Sequence, residues 1–372
     1  MMVPTRTEEG PPRVTRSFQN DEPVDESLRS GSGFLAGVAA GSALVDPVPA
    51  WSQTTTSYSL TELGTLGGNY SVATGVTDAG HVVGMSYLAG GSVWQRDERA
   101  FYWSNGTMTM IPTLGGTWNH AVSIHANGDV VGRSQIPGPG NPIHAYLWNS
   151  GTGQVQDLND DLSAEDAAEV ELLAANYISE NRLVAGECRV RATGDRHPFV
   201  MDLNSQPAVF HDLGTVSGTL GWADAVNASG HVVGSAGGAF LFTGASPLIS
   251  LSPMGYARGI NDTGGIVGTL SGGPVYRSPA GSLIPLSGSG LSGGEASDIN
   301  GAGTVVGYTY GKGKQLGFRW QVGSGAIKSL DSLTPNRGKA SITSAPGLSP
   351  SGLIAGKALR GGIERACLLT PQ

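Results

Sequence analysis

Charged residues are scarce in this sequence of 372 residues, of which only 14% are Asp, Glu, Lys or Arg. The formal net charge is -8, and the body of the chain contains no block of like charge. Binding to nucleic acid or to anionic lipid needs a dense basic surface, so the composition excludes both partners. The two cysteines, Cys188 and Cys367, lie far apart in the sequence. We expect both to be small buried apolar residues without a disulfide between them.

Motifs of established catalytic chemistry are also missing. The sequence contains no His-Glu-x-x-His, no phosphate-binding P-loop, no Cys-x-x-Cys pair and no EF-hand loop. Gly288, Gly290 and Gly293 have the spacing of a dinucleotide-binding fingerprint, but no helix is predicted after them. From motifs we therefore predict no catalytic residue, no metal site and no cofactor.

Residues 1–50 differ in composition from the rest of the chain. Residues 1–33 are polar and lack an apolar period, so we expect a disordered leader. Residues 34–45 are apolar and are followed by Val48-Pro49-Ala50, which fits a signal-peptidase site. Such a stretch is too short to span a bilayer. We predict a signal peptide over 34–50 and an extracellular or periplasmic protein, with a weakly hydrophobic linker as the alternative.

Glycine is abundant, with 58 residues that separate short runs rich in Val, Ile and Leu. The runs belong to a repeated unit of the form Ala-x-x-(Ile/Val)-(Asn)-x-x-Gly-x-Val-Val-Gly. Successive copies are roughly 34 to 54 residues apart, which is about the length of one four-stranded propeller blade. The seven copies occupy residues 73–84, 121–132, 175–186, 223–234, 257–268, 296–307 and 345–356.

Each copy predicts a hairpin in which Asn and Gly take the positive-φ positions of the turn. A third and a fourth strand follow, as in residues 144–148 and 155–158. The seventh repeat has no room for a fourth strand, whereas residues 57–63 have the fourth-strand pattern. We therefore predict an all-β, seven-bladed β-propeller over 51–372, closed by the strand at 57–63, which completes the last blade. A parallel β-helix is the rival fold, but its rungs are shorter.

Three further motifs accompany the hairpin units: residues 63–68 read Leu-Gly-Thr-Leu-Gly-Gly, 114–116 read Leu-Gly-Gly, and 144–148 read His-Ala-Tyr-Leu-Trp. Together with the units, they resemble the HAF repeat of extracellular repeat proteins. The resemblance covers residues 60–372 and is weakest in repeats 3, 5 and 7, where His-Ala-Phe is replaced at 197–199, 273–275 and 365–367. It implies export and repetition, and it implies no reaction.

In a propeller, the loops that lead into the first strands ring the central channel and often bind ligands. Aromatic residues from four different repeats occur there, and we interpret them as a platform for sugar rings or for apolar side chains of a partner. The alternative is that they pack between blades. The candidate ligand-binding residues are Tyr70, Trp118, His120, Trp222 and Tyr256.

Two charged segments are further candidates. Arg191 and Arg196 could bind an anionic ligand, or they could belong to a solvated loop of mixed charge. The acidic segment 157–171 suggests calcium but lacks regular ligand spacing, and the alternative is a capping turn with a short helix over 163–173. His144 and His197 open third strands in equivalent positions, so we interpret them as framework residues.

These observations leave functions of different classes open. The first is an exported, monomeric binding or structural scaffold whose ligand is a glycan or an extracellular protein. The alternative is a carbohydrate-active propeller enzyme, a hydrolase or lyase, with Asp224, Glu295 and Asp298 near the first strands as its candidate carboxylates. A purely structural repeat that only spaces other surfaces is the third.

Overall fold

A computed structural model of the chain describes residues 56–91, 97–244 and 247–372. Within these residues the backbone forms 28 β-strands and two short α-helices. The predicted leader 1–33 and the predicted signal peptide 34–50 lie outside them. Each hairpin unit of the sequence becomes the first and second strands of its repeat.

Strands pair in antiparallel groups of four within the described residues, which makes the fold all-β and propeller-like. The strand before the first repeat is β1 (Tyr58–Gly64). Repeats 1 to 3 contain β2 (Gly67–Val76), β3 (Val82–Leu88), β4 (Glu98–Ser104), β5 (Thr107–Met110), β6 (Asn119–Ile124), β7 (Asp129–Gln135), β8 (Ile143–Asn149), β9 (Val155–Asp157), β10 (Val170–Ile178), β11 (Leu183–Val190), β12 (Arg196–Asp202) and β13 (Val209–Asp212). Repeats 4 and 5 contain β14 (Gly221–Val226), β15 (Val232–Ala236), β16 (Ala239–Phe242), β17 (Ile249–Ser250), β18 (Tyr256–Ile260), β19 (Ile266–Leu270), β20 (Gly273–Arg277) and β21 (Leu283–Pro285). Repeats 6 and 7 contain β22 (Leu291–Ile299), β23 (Thr304–Gly311), β24 (Lys314–Gln321), β25 (Lys328–Ser329), β26 (Ser341–Leu348), β27 (Ile354–Arg360) and β28 (Ile363–Pro371).

The helices are α1 (Ala164–Glu169) and α2 (Leu330–Leu333). Ser163 caps α1, since its hydroxyl accepts the backbone N–H of Asp166. The helix predicted over 163–173 is therefore present but shorter, because the chain from Val170 onward pairs as β10. No helix in the described residues is long and apolar enough to cross a membrane.

Strand β1 lies beside the end of the chain. It pairs antiparallel with β28, with Leu60 opposite Leu369. The sequence predicted a strand at this place, and the pairing gives repeat 7 its fourth strand. On the side of repeat 1, a single parallel bridge between Tyr70 and Glu364 connects β2 to β28.

The glycine that ends each repeat unit is required for a steric reason. A β-bulge interrupts each first strand just after the alanine that opens the unit, as between Ala223 and Ala225. The bulge brings a backbone carbonyl close to the glycine on the second strand. A Cβ atom on Gly234 would lie 2.2 Å from the carbonyl oxygen of Trp222, and one on Gly268 would lie 2.0 Å from that of Tyr256. Only glycine fits at these positions.

The asparagines of the hairpin turns have a different role from the predicted one. Gly230 and Gly264 take the positive-φ positions, with φ of 77° and 82°, whereas Asn227 and Asn261 are not among the described residues with positive φ. The Asn261 side-chain oxygen instead accepts the backbone N–H of Gly265, and its amide donates to the carbonyl of Asn300 in the next repeat. The side chain of Asn261 thus closes its own turn and connects it to the next repeat.

The third-strand aromatic residues are buried in the core, among many aliphatic side chains. Each lies opposite the final glycine of its repeat and fills the space that the missing side chain leaves, as Phe101 does opposite Gly84. Val275 and Cys367 take the same place in repeats 5 and 7. Both cysteines are buried free thiols, as predicted. Among the described residues, the fully buried aromatic side chains are Phe101, Tyr146, Phe199, Phe240 and Phe318.

Candidate functional site

A cavity of about 360 Å³ lies between the first strands. Its lining includes residues from the first strand of every repeat, namely β2, β6, β10, β14, β18, β22 and β26. We call it the first-strand cavity. Residues from the two variable positions that follow the alanine of the repeat unit are part of this lining. The first of these positions, next to the bulge, holds Thr74, Val122, Asn176, Asp224, Arg258, Ser297 and Pro346.

An ion cluster from three successive repeats lies on this wall. The Arg258 guanidinium donates from Nη1 to Asp224 Oδ1 at 3.1 Å and from Nε to Glu295 Oε2 at 3.0 Å. Burial raises the pKa of Asp224 to about 7, against the opposing charge of Arg258. Burial by itself would lower the pKa of Arg258, but the two carboxylates outweigh this effect and raise it.

Two aromatic rings adjoin the ion cluster. The Trp222 indole donates from Nε1 to Asp224 Oδ2 at 3.0 Å. Its ring stacks on that of Tyr256, with centroids 6.3 Å apart and an interplanar angle of 22°. The Arg258 guanidinium carbon lies 5.1 Å from the centre of the Tyr256 ring, and Tyr256 is 42% exposed. We call Trp222, Asp224, Tyr256, Arg258 and Glu295 the Trp222 cluster.

Asp298 and Tyr177 also line this cavity. Asp298 accepts the backbone N–H groups of Ile299 at 2.8 Å and of Leu348 at 2.9 Å. Burial raises the pKa of Asp298 to about 6, although both hydrogen bonds oppose it. Burial also raises the pKa of the Tyr177 phenol, and the charge of Asp298 adds to this effect.

The predicted aromatic residues fall into three groups by their ring contacts. Trp222 and Tyr256 form the stacked pair described above. Tyr70 packs on Tyr87 with centroids 5.0 Å apart, beside Lys357, whose Nζ lies 5.3 Å from the Tyr70 ring centre.

Trp118 contacts the ring of His120 at 5.2 Å. Trp118 is only 4% exposed, so most of its indole packs inside the protein. His120 Nε2 lies 3.4 Å from Glu98, which ties this pair to repeat 1. None of the predicted platform residues lines the first-strand cavity, but Trp222 and Tyr256 contact Asp224 and Arg258, which do line it.

The predicted arginines are engaged with acceptors of the protein. Arg191 Nε donates to the carbonyls of Ala167 and Val170, both at 3.0 Å, and so fastens the end of α1. Arg196 Nη1 lies 2.9 Å from Glu187 Oε1. Both arginines are exposed, and neither lines the first-strand cavity.

The histidines of the third strands bind carboxylates. His144 bonds to Asp157 through Nδ1 and to Glu171 through Nε2, and these contacts, that to Asp157 first, raise its pKa. His197 makes the same kind of contact with Asp212 at 2.8 Å. The repeated contact supports a framework role. The carboxylate of Asp157 in the acidic segment also binds Asn159, and no group of three metal-ligating side chains occurs among the described residues.

Asp224, Glu295 and Asp298, the candidate carboxylates of the enzyme hypothesis, all line the first-strand cavity. Reasoning from the sequence missed Arg258, Asn176 and Tyr177, which lie on the same wall. These residues occupy variable positions of an otherwise regular repeat unit, and this was the signal that the sequence offered. A position that varies between repeats is not fixed by the requirements of the fold.

No protein-family model and no curated protein matches the chain. Among solved structures, the chain is similar to TolB from Acinetobacter baumannii, with a TM-score of 0.41 and 11% identity over 82% of this chain. It spans 65% of the length of that TolB chain. Another similar structure is a mutant of AofleA from Arthrobotrys oligospora, with a TM-score of 0.34 and 11% identity, covering 86% of this chain and 90% of that one.

Proposed function

We propose that the chain is a closed, seven-bladed β-propeller of the HAF-repeat type. Each first strand contacts the first strand of the next repeat, and β26 contacts β2. Hydrogen bonds between hairpins follow the same order, and the backbone N–H of Ser351 in repeat 7 donates to Asp78 in repeat 1 at 2.8 Å. The pairing of β1 with β28 adds to these contacts. They support a closed ring in which the first strands of repeats 1 and 7 are neighbours.

We further propose that the ring is an exported, monomeric binding module that takes a glycan at the Trp222 cluster. The observation that carries this proposal is the exposed Tyr256 ring, stacked on Trp222 and flanked by the charged groups of Arg258, Asp224 and Glu295. Aromatic faces bind the apolar faces of sugar rings, while fixed charged groups bind hydroxyls and orient the ligand.

A glycan-array screen with the full chain tests the binding proposal. Tyr256→Ala should weaken binding of the selected glycan by about tenfold or more, because it removes the exposed ring. Trp222→Phe keeps a ring but removes the hydrogen bond to Asp224, and should have a smaller effect. Met110→Ala, which truncates an exposed apolar residue on β5, is the matched control. If no glycan binds, or if Tyr256→Ala binds as tightly as the wild type, this site is not a glycan site.

A carbohydrate-active enzyme is the second candidate. It is favoured by one observation: Asp224, whose pKa lies near 7, shares Arg258 with a second carboxylate, Glu295. A carboxylic acid with a raised pKa is suited to act as a general acid beside an ionised partner. Incubating any bound glycan with the full chain should then release new reducing ends, and Asp224→Asn should abolish the release. An intact glycan after long incubation contradicts the enzyme hypothesis.

Export depends on the sequence of residues 34–50, which carries an apolar stretch before Val48-Pro49-Ala50. We expect protein recovered from outside the cytoplasm to begin near residue 51. N-terminal sequencing of that protein checks this expectation, and retention of residues 1–50 would contradict cleavage.

A further inference from the structure

A second pair of aromatic residues lies next to the Trp222 cluster, on β23 of repeat 6. Tyr308 and Tyr310 are two positions apart on this strand, so their side chains are on the same face of the sheet. Their ring centroids are 5.9 Å apart and their planes meet at 85°. Tyr310 is 44% exposed, which is close to the exposure of Tyr256. We call these two residues the Tyr308 pair.

The Tyr308 pair lies at the boundary between repeats 5 and 6. Tyr308 is directly opposite Glu295 in the pairing of β22 with β23, and residues opposite each other in an antiparallel pair have neighbouring side chains. A Cβ atom on Gly293 would lie 3.7 Å from Cδ2 of Tyr310 and 3.3 Å from the carbonyl oxygen of Gly272 in repeat 5. The Tyr310 ring is therefore close to the turn that precedes β20.

Glu295 connects the Trp222 cluster to the Tyr308 pair. Its Oε2 accepts from Arg258 Nε, and the Arg258 guanidinium packs against the exposed ring of Tyr256. The same glutamate is the cross-strand neighbour of Tyr308. A continuous series of neighbouring side chains thus leads from the exposed ring of Tyr256 in repeat 5 to the exposed ring of Tyr310 in repeat 6.

The ion pair in the middle of this series has polar atoms to offer a ligand. Arg258 donates through Nε and Nη1, whereas its Nη2 has no acceptor within the described residues. Glu295 Oε1 likewise accepts no hydrogen bond there. Neither atom is among the buried polar atoms without a partner, so both are accessible to solvent. One sugar hydroxyl can accept from Nη2, and another can donate to Oε1.

The charge and the rings together favour a neutral ligand with more than one sugar. One guanidinium, that of Arg258, faces the two carboxylates of Asp224 and Glu295, so no cation is left unpaired for an anionic sugar. The faces of exposed aromatic rings suit the apolar face of a neutral pyranose. Because Tyr256 and Tyr310 are separated by the ion pair and by Tyr308, contact with both exposed rings requires two sugar rings.

We propose that the Trp222 cluster and the Tyr308 pair form one binding site for a neutral oligosaccharide. Separate sugar rings pack on Tyr256 and on Tyr310, and hydroxyls between them bond to Arg258 Nη2 and Glu295 Oε1. This inference rests on the proposed function, because it extends the glycan site of the Trp222 cluster by a second subsite. The Tyr308 pair supplies the affinity for the additional sugar.

Calorimetric titration of the full chain at neutral pH tests the ligand class. The neutral probes are N-acetylglucosamine with fully acetylated chitotetraose, and glucose with cellotetraose. The anionic probe is tetragalacturonate. At least one neutral tetramer should bind about tenfold more tightly than its own monosaccharide, because it contacts both exposed rings. Tetragalacturonate should bind more weakly than that tetramer, because its carboxylates meet unpaired acceptors and no free cation.

Variants locate the second subsite. Tyr310→Ala should reduce the advantage of the tetramer over its monosaccharide to about twofold or less, without weakening the monosaccharide. Tyr310→Phe keeps the ring and should keep the advantage. Tyr256→Ala should weaken both probes. Val322→Ala is the matched control: it truncates an exposed apolar residue of the same repeat, beside Gly303 at the opposite end of β23, and should change neither affinity. Thermal melts check that each variant is folded.

A monosaccharide that binds as tightly as its tetramer overturns the inference, as does a tetramer advantage that survives Tyr310→Ala. Failure of both neutral tetramers to bind, or tighter binding of tetragalacturonate, also overturns it. The proposed function has a separate readout: if a glycan depends on Tyr256 but not on Tyr310, that function stands and the extended site does not. If the tetramer depends on Tyr310 but not on Tyr256, the single extended site is wrong and the Trp222 cluster does not bind the glycan.

Discussion

At the scale of single residues, ionising a buried carboxylate on the cavity wall destabilises the folded state. Asp298 has two backbone amide donors and no cationic partner in the described structure, and burial raises its pKa from the ordinary value of 3.8 to about 6. The folded state therefore binds this proton more tightly than the unfolded state. The stability that the group contributes is fully present below about pH 4 and is lost as the pH rises through about 6.

Asp298→Asn should therefore become more stable relative to the wild type as the pH rises from about 4 to about 7. Because one unit of pKa corresponds to about 1.4 kcal/mol, we expect a relative gain of about 1 to 3 kcal/mol. Thermal melts at both pH values measure the difference. Asp160→Asn, an exposed carboxylate outside the cavity, is the control. A difference in melting temperature that does not change with pH would contradict the raised pKa.

At the scale of the elements, β1 connects the residues before repeat 1 to the last strand of repeat 7. It pairs along its length with β28, and its Tyr58 and Leu63 side chains are buried in cores that also contain residues of repeat 7. Burial of such side chains contributes about 1.5 to 3 kcal/mol each. Without β1, these contacts are lost and β28 becomes an unpaired edge.

Deleting residues 1–64 should lower the melting temperature by about 5 °C or more, whereas deleting residues 1–50 should leave it within about 2 °C. The second deletion is the control, since it keeps β1 intact. Melts followed by far-UV circular dichroism compare the two. Equal melting temperatures would show that β1 does not hold the last repeat to the first.

At the scale of the whole molecule, neighbouring repeats share hydrogen bonds that make them depend on one another. Asn227, Asn261 and Asn300 each donate to the following hairpin, and Ser351 returns the contact to Asp78. In an open array, stability would be a sum of repeat and interface terms that could separate. The proposed ring has no end at which unfolding could begin.

The full chain should therefore unfold in one cooperative transition. Tryptophan fluorescence reports on seven residues, which include Trp103, Trp148, Trp222 and Trp320 in four different repeats. It should give the same midpoint in urea as far-UV circular dichroism. The variant without residues 1–64 provides the comparison, because its exposed end allows repeats to unfold separately. Two resolved transitions in the full chain would contradict the ring.

Much of the fold could be predicted from the sequence, because its causes are local. The hairpin units, the third-strand aromatic residues and the strand near 57–63 each have a pattern that follows from turn geometry and strand alternation. The predicted role of the turn asparagines was wrong. A hydrogen bond such as that from Asn261 to Asn300 joins two repeats, so the sequence of either repeat alone does not indicate it. The length of α1 was overestimated, because after Glu169 the pairing of β10 overrides the helix propensity of the sequence.

The sequence by itself determined the repeating strands and the glycines, since a bulged strand leaves no room for a side chain at Gly234 or Gly268 whatever surrounds the repeat. Only the tertiary structure decided the site. Arg258 reaches Asp224 and Glu295 because adjacent repeats bring three first strands together, although these residues are 34 and 37 positions apart in the chain. Tertiary structure also explains why Trp118 is buried and Tyr256 is exposed. The burial of each ring depends on the side chains that other parts of the chain place over it. The local sequence pattern does not predict those side chains.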